Sequence, residues 1–183
     1  MKTLRQLTYI VFAGFIGCLL MSSAASAQKR ANNESRVSPN AAVSQTIGTT
    51  EVTITYGRPS VKDRNVFGGL EPYGEVWRSG ANEATTITFS KNVEIEGKPL
   101  KAGTYGLFTV PGEKEWVVIF NNVPNQWGAF DYDSSEDALQ VRVHPEKGPH
   151  MEQLMFYFED VTENSGTAVL HWSTVKVPFT IEV

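Results

Sequence analysis

From Ala42 onward the chain alternates apolar and polar positions, and that alternation predicts strands. Residues 51–56 read Glu-Val-Thr-Ile-Thr-Tyr, a two-residue period rich in β-branched side chains, as a half-buried strand requires. Gly48-Thr49 turns the chain into it from a short preceding strand. The pattern recurs at 85–89 and 93–95, where Glu96-Gly97-Lys98 forms a compact turn. It returns at 105–110, stopped by Pro111-Gly112, and residues 116–120 form a continuous apolar run suited to a sheet interior. Further strands are expected at 139–143, 154–161, 167–172 and 175–183, with Asn164-Ser165-Gly166 as a turn. Pro178 in the last of them points to an edge position or a bulge. Beyond a possible turn around 134–139, no stretch has a helical period. Short strands at this spacing predict an all-β domain, an antiparallel two-sheet sandwich of immunoglobulin-like or jelly-roll-like type.

One segment breaks the rhythm. Residues 57–83 contain no clear strand, yet Val61, Val66, Phe67, Leu70, Tyr73, Val76 and Trp77 supply enough apolar surface to fold onto the body. Ordered loops of this length tend to be functional. Three of the four arginines beyond residue 40 fall here, Arg58, Arg64 and Arg78, with Arg142 the fourth. A guanidinium offers a planar fork of donors that matches carboxylate, phosphate or sulfate and also stacks on aromatic rings. The candidate ligand-binding set is therefore Arg58, Arg64 and Arg78 for an anionic or glycan ligand, Tyr73 and Trp77 for stacking, and Asn82 and Glu83 beside them. Two other readings stay open. Asp63, Glu71, Glu75 and Glu83 could pair internally with every arginine, leaving the loop a structural plug. Alternatively, Glu83 could serve as the acid or base of an envelope hydrolase.

The N-terminal stretch changes the picture of where the domain acts. Lys2 and Arg5 precede an uncharged run at 9–21 and small residues at 22–27, the three parts of a secretory signal with cleavage expected after Ala27. The 13-residue apolar run is short for a membrane-spanning helix, so no transmembrane segment is expected after cleavage. Residues 28–40 read as a flexible polar leader and 41–183 as a single domain. Cys18, the only cysteine, lies within the signal, so the 156 residues that remain (183 minus 27) exclude disulfides and thiol chemistry. Removing two of 16 basic residues and none of 20 acidic ones leaves 14 minus 20, or −6, which disfavours nucleic acid and anionic membranes.

Other constellations are weaker. Asp131 to Asp137 alternates oxygens like a calcium loop, but Glu136 stands where glycine is required and Arg142 where a bidentate glutamate belongs, so a solvated acidic turn is expected. His144, His150 and His171 form no ligand-spaced pair, and no metal or cofactor is expected. Trp116 and Trp172 lie on strands as packing residues. Trp127, in a turn-rich stretch, is read first as packing and second as a sugar-facing ring.

Particular strings resemble a known family. They include Val43-Ser44-Gln45-Thr46-Ile47-Gly48, Tyr56-Gly57-Arg58-Pro59-Ser60, Phe67-Gly68-Gly69-Leu70, Pro72-Tyr73-Gly74 and Gln126-Trp127-Gly128. Trp77-Arg78-Ser79-Gly80-Ala81-Asn82-Glu83-Ala84-Thr85 and Gly97-Lys98-Pro99-Leu100-Lys101-Ala102-Gly103-Thr104-Tyr105 continue the likeness. Together these resemble a bacterial family catalogued as domain of unknown function 2911. The resemblance implies a secreted or periplasmic protein with a β-rich domain and brings no established activity, ligand or catalytic residue. Residues and resemblance together lead to an exported envelope protein, periplasmic or extracellular, whose loop serves as a binding or accessory module.

Overall fold

The computed structural model describes residues 35–183. The signal-like segment, its Ala27 cleavage site and Cys18 lie outside the described residues. The chain folds as a β-sandwich of two antiparallel sheets. One has six strands in the order β1-β2-β3-β6-β7-β8 and the other four in the order β5-β4-β10-β9. The first sheet contains β1 (Asn40–Ile47), β2 (Thr50–Gly57), β3 (Thr85–Phe89), β6 (Gly103–Val110), β7 (Trp116–Asn121) and β8 (Asp137–Val143). The second contains β4 (Val93–Ile95), β5 (Lys98–Leu100), β9 (Glu146–Glu159) and β10 (Ser165–Glu182).

The alternation that predicts the strands also sets their facing. In β2, Val52, Ile54 and Tyr56 are buried while Glu51, Thr53 and Thr55 are not. Shifting this strand by one residue would expose the apolar set, so burial fixes its register. Gly48, at φ +55, closes the two-residue turn that pairs Ile47 with Thr50.

Three details depart from the sequence reading. The strands expected at 167–172 and 175–183 are one strand, bent at Ser173 (φ +54), where pairing with β9 shifts register. A bulge bends a strand without ending it. β9 starts at Glu146 rather than near residue 154, because Gly148 and Pro149 sit on an edge strand where a missing N–H costs no ladder bond. β5, three residues long, lies in what reads as the end of a turn. Pro178 is tolerated in the interior strand β10 because it follows the last β9 partner, at Lys176, and precedes the first β4 partner, at Ile181.

The core meets the β2–β3 loop in an aromatic cluster. Trp116 comes from the six-stranded sheet and Trp172 from the four-stranded one, while Phe67 and Trp77 come from the loop. Phe67 meets Trp116, Trp77 and Trp172 edge-on at centroid distances of 4.8, 5.7 and 5.9 Å. Trp77 stacks on Trp172 at 5.8 Å. Edge-on and offset contacts of this kind add to the area that such large rings bury. The loop is thus part of the core.

Candidate functional site

Isolated β-bridges pin the loop to its surroundings at three places, Ser60 to Gln153, Trp77 to Thr109 and Glu83 to Trp127, and a fourth, Phe67 to Glu71, closes within it. Its entry runs along β9. Leu154 N–H donates to Pro59 O at 3.0 Å, Val61 N–H to Glu152 O at 2.8 Å and Lys62 N–H to Glu152 Oε1 at 3.0 Å. That main-chain donor holds the Glu152 carboxyl below its ordinary range. Arg58 belongs to this strap. Its backbone N–H donates to Pro39 O at 2.9 Å and its Nε to Leu154 O at 2.8 Å.

The exit is fixed by close backbone packing. Trp77 exchanges both main-chain bonds with Thr109, at 2.7 and 2.9 Å. Ser79, fully buried at φ 54, donates its hydroxyl to Thr109 Oγ1 at 3.1 Å. A Cβ on Gly57 would stand 2.2 Å from Ala81 O, so only glycine lets the two ends of the loop meet. Asn82 Nδ2 donates to Ser38 O at 3.1 Å, and buried Glu83 accepts from Arg36 Nη1 at 2.7 Å. Arg36, Ser38 and Pro39, the end of the stretch read as a leader, are therefore docked on the loop.

Between entry and exit lies a cavity of about 300 Å³, lined by Ser60, Lys62, Arg64, Glu71, Arg78 and Asn82, with Trp172 at its wall. The charges that line it are three cations and one carboxylate. Arg64 is partly used, its Nε donating to Val61 O at 2.9 Å and its Nη2 to Ser60 O at 2.6 Å. Arg78 differs. Among the described residues its guanidinium has no hydrogen-bond acceptor and no ion pair, and its Nε is buried without a partner. An uncompensated buried donor is costly, so this one needs an account. Glu71, half-buried, likewise has no hydrogen bond to its carboxylate among the described residues. Burial pushes its pKa up to about 7, against the opposing pull of Arg78 and Arg64.

The predicted residues thus separate. Arg64, Arg78 and Asn82 share the cavity. Arg58 lies in the strap outside it and Glu83 in the Arg36 pair. Trp77, expected to stack on a ligand, is corrected by the structure: at 3% exposure its ring is committed to the aromatic core, because with Phe67 it joins the loop to both sheets. Tyr73 is exposed but lines a different hollow, of about 250 Å³, with Phe67, Glu113 and Lys147. Pairing of every arginine with the loop's own acids does not occur: among the described residues, no ion pair involves Arg58, Arg64 or Arg78. Reasoning from sequence missed Lys62 and Glu71 as cavity residues. Glu71, wedged between Leu70 and Pro72 after two glycines, carried the usable signal of an acid in an apolar turn.

Outside the loop, Trp127 is 57% exposed and Phe130, three residues further on, 84%, so the packing reading of Trp127 is overturned. Asp133 caps the 3₁₀ turn Ser134–Glu136, accepting from Ser135 N and Oγ, both at 2.8 Å. Asp137 accepts from Asn121, Tyr132 and Gln140, so these acids hold the turn together. His171 is buried on β10 with Nε2 3.0 Å from Pro149 O. Among the described residues, no group of three or more histidine, cysteine or acidic side chains is arranged to hold a metal ion. No helix there is long and apolar enough to cross a membrane. A larger hollow, of about 750 Å³, lies between β4, β5 and the C-terminus and shares no residue with the loop.

Comparison with known proteins finds one family. The family described as "Protein of unknown function (DUF2911)" matches residues 38–181, which cover both sheets and the whole loop, and the chain belongs to it. No curated protein and no solved structure matches the chain.

Proposed function

We propose that this DUF2911 protein is an exported binding module of the cell envelope, and that the cavity bounded by Lys62, Arg64 and Arg78 takes a small anionic ligand. One observation carries the reading: the guanidinium of Arg78 lines a cavity, yet its fork has no partner among the described residues. A carboxylate, phosphate or sulfate would supply paired acceptors to Arg78, with Lys62 and the free side of Arg64 adding positive field. The rigid strap and exit around the cavity favour binding without loop ordering, which reduces the entropic cost. A neutral glycan is less well served, since Trp77 is buried and unable to stack on a sugar. A hydrolase reading through Glu83 loses support because its carboxylate is tied to Arg36 at 2.7 Å. The signal-like residues before Gln28 support export to the periplasm or beyond.

A thermal-shift screen of phosphate, sulfate, citrate, neutral sugars and divalent metals tests this. The expected outcome is that one or more anions raise the melting temperature by about 5 °C at a hundredfold excess over Kd, while sugars and metals do not. Arg78→Ala is expected to abolish the shift. Silence from every anion, or a shift that survives Arg78→Ala, overturns the proposal.

A further inference from the structure

We infer that the ligand of this cavity is a zwitterion, a small acid that also carries a protonated amine, an inference that rests on the anion-binding reading above. The cavity is bipolar. Arg64 and Arg78 line it together with Glu71, and no ion pair among the described residues joins that carboxylate to either guanidinium. Opposite charges on long side chains collapse into contact when the backbone permits, because attraction at short range in a partly desolvated site is large. Here the backbone does not yield.

Glu71 is held by its own N–H to Val66 O at 2.8 Å and by Gly68 N–H to its carbonyl at 2.9 Å. Arg78 lies between Trp77, fixed to Thr109 and packed in the core, and fully buried Ser79. The space between the two charges is built in. A simple anion satisfies the arginines and leaves Glu71 facing added negative charge. A ligand with an acid at one end and an ammonium at the other satisfies both walls. Burial raises the Glu71 pKa to about 7 even with Arg78 and Arg64 opposing it and Lys62 also lining the cavity, which marks a carboxylate short of counter-charge. A ligand ammonium would supply that charge.

The test compares β-alanine with propionate, which differ by the amine alone, in NMR titrations of the protein at about pH 6 and about pH 8. Both probes keep their own charge across that interval. At about pH 8 β-alanine is expected to bind at least about tenfold more tightly than propionate, the scale of one charge-assisted contact. Raising the pH should strengthen β-alanine and weaken propionate, since ionised Glu71 attracts the first and repels the second. Glu71→Gln should remove the preference and flatten both pH profiles. Propionate binding as tightly as β-alanine in the wild-type protein, or a preference that survives Glu71→Gln, overturns the zwitterion inference and leaves anion binding standing. Failure of both probes together with every anion of the thermal screen overturns both. The wild-type comparison needs no variant, so misfolding of Glu71→Gln would not spare the inference.

Discussion

Arg58 and Arg78 sit near opposite ends of one loop, and the protein treats them differently. Arg58 lies where the loop runs alongside β9, and both its main-chain N–H and its Nε meet carbonyls of neighbouring segments. Arg78 lies where the loop turns inward, between a buried tryptophan and a buried serine, and its guanidinium meets none among the described residues. The residue type is the same, and only the carbonyl supply differs. A strand-like strap passes its peptide groups to its neighbours, whereas a turn anchored by a core aromatic leaves a cavity beside it. An arginine is functional evidence only when the surrounding main chain has not already used its donors.

That contrast can be broken in several ways, the strongest acting on the anchor shared by both sides. Trp77→Ala removes one of the two rings that join the loop to Trp116 and Trp172 and should cost about 3–5 kcal/mol in denaturant unfolding. A loss below about 1 kcal/mol would mean the loop is not part of the core. Arg58→Ala strips the donor from Leu154 O and should cost about 1–2 kcal/mol, with anion affinity unchanged in the folded protein.

Glu71→Gln sharpens the comparison through pH. A carboxyl whose pKa is raised in the folded state holds its proton there after the unfolded chain has released it, so stability falls as pH rises from about 4.5 to about 7. Discounted for partial exposure, the variant should exceed wild type by about 1–2 kcal/mol at about pH 8 and match it at about pH 4. Melts across that range check the sign, and an advantage that grows toward acid pH would refute it. The smallest stability effect belongs to Arg78→Ala. Truncation removes an unsatisfied buried donor, a gain, together with the packing of the side-chain stem, a loss, and the two should nearly cancel, leaving a change of no more than about 0.5 kcal/mol.

The sandwich was legible because period-two alternation and burial are the same fact in strands such as β2. What sequence obscured was pairing at a distance. Nothing local to Glu83 says that its partner is Arg36, 47 positions away. Nor does the spacing of Tyr73, Trp77 and Arg78 show that the first faces one hollow, the second the core and the third another cavity. Proximity in sequence mixes faces once a loop turns at every few residues, so the arginine cluster located the region without resolving its membership. Gly148 and Pro149 misled for the opposite reason: residues that break an interior strand are harmless on an edge.

The central contrast is that the Arg78 guanidinium lines the cavity with no acceptor among the described residues, while Arg58 Nε is committed to Leu154 O. Side-chain Nε–H signals of the two arginines, followed by NMR while phosphate is titrated into the protein, read this directly. The Arg78 signal is expected to shift and saturate with added phosphate while the Arg58 signal stays in place. An Arg78 signal that stays still, or an equal response from Arg58, would contradict it.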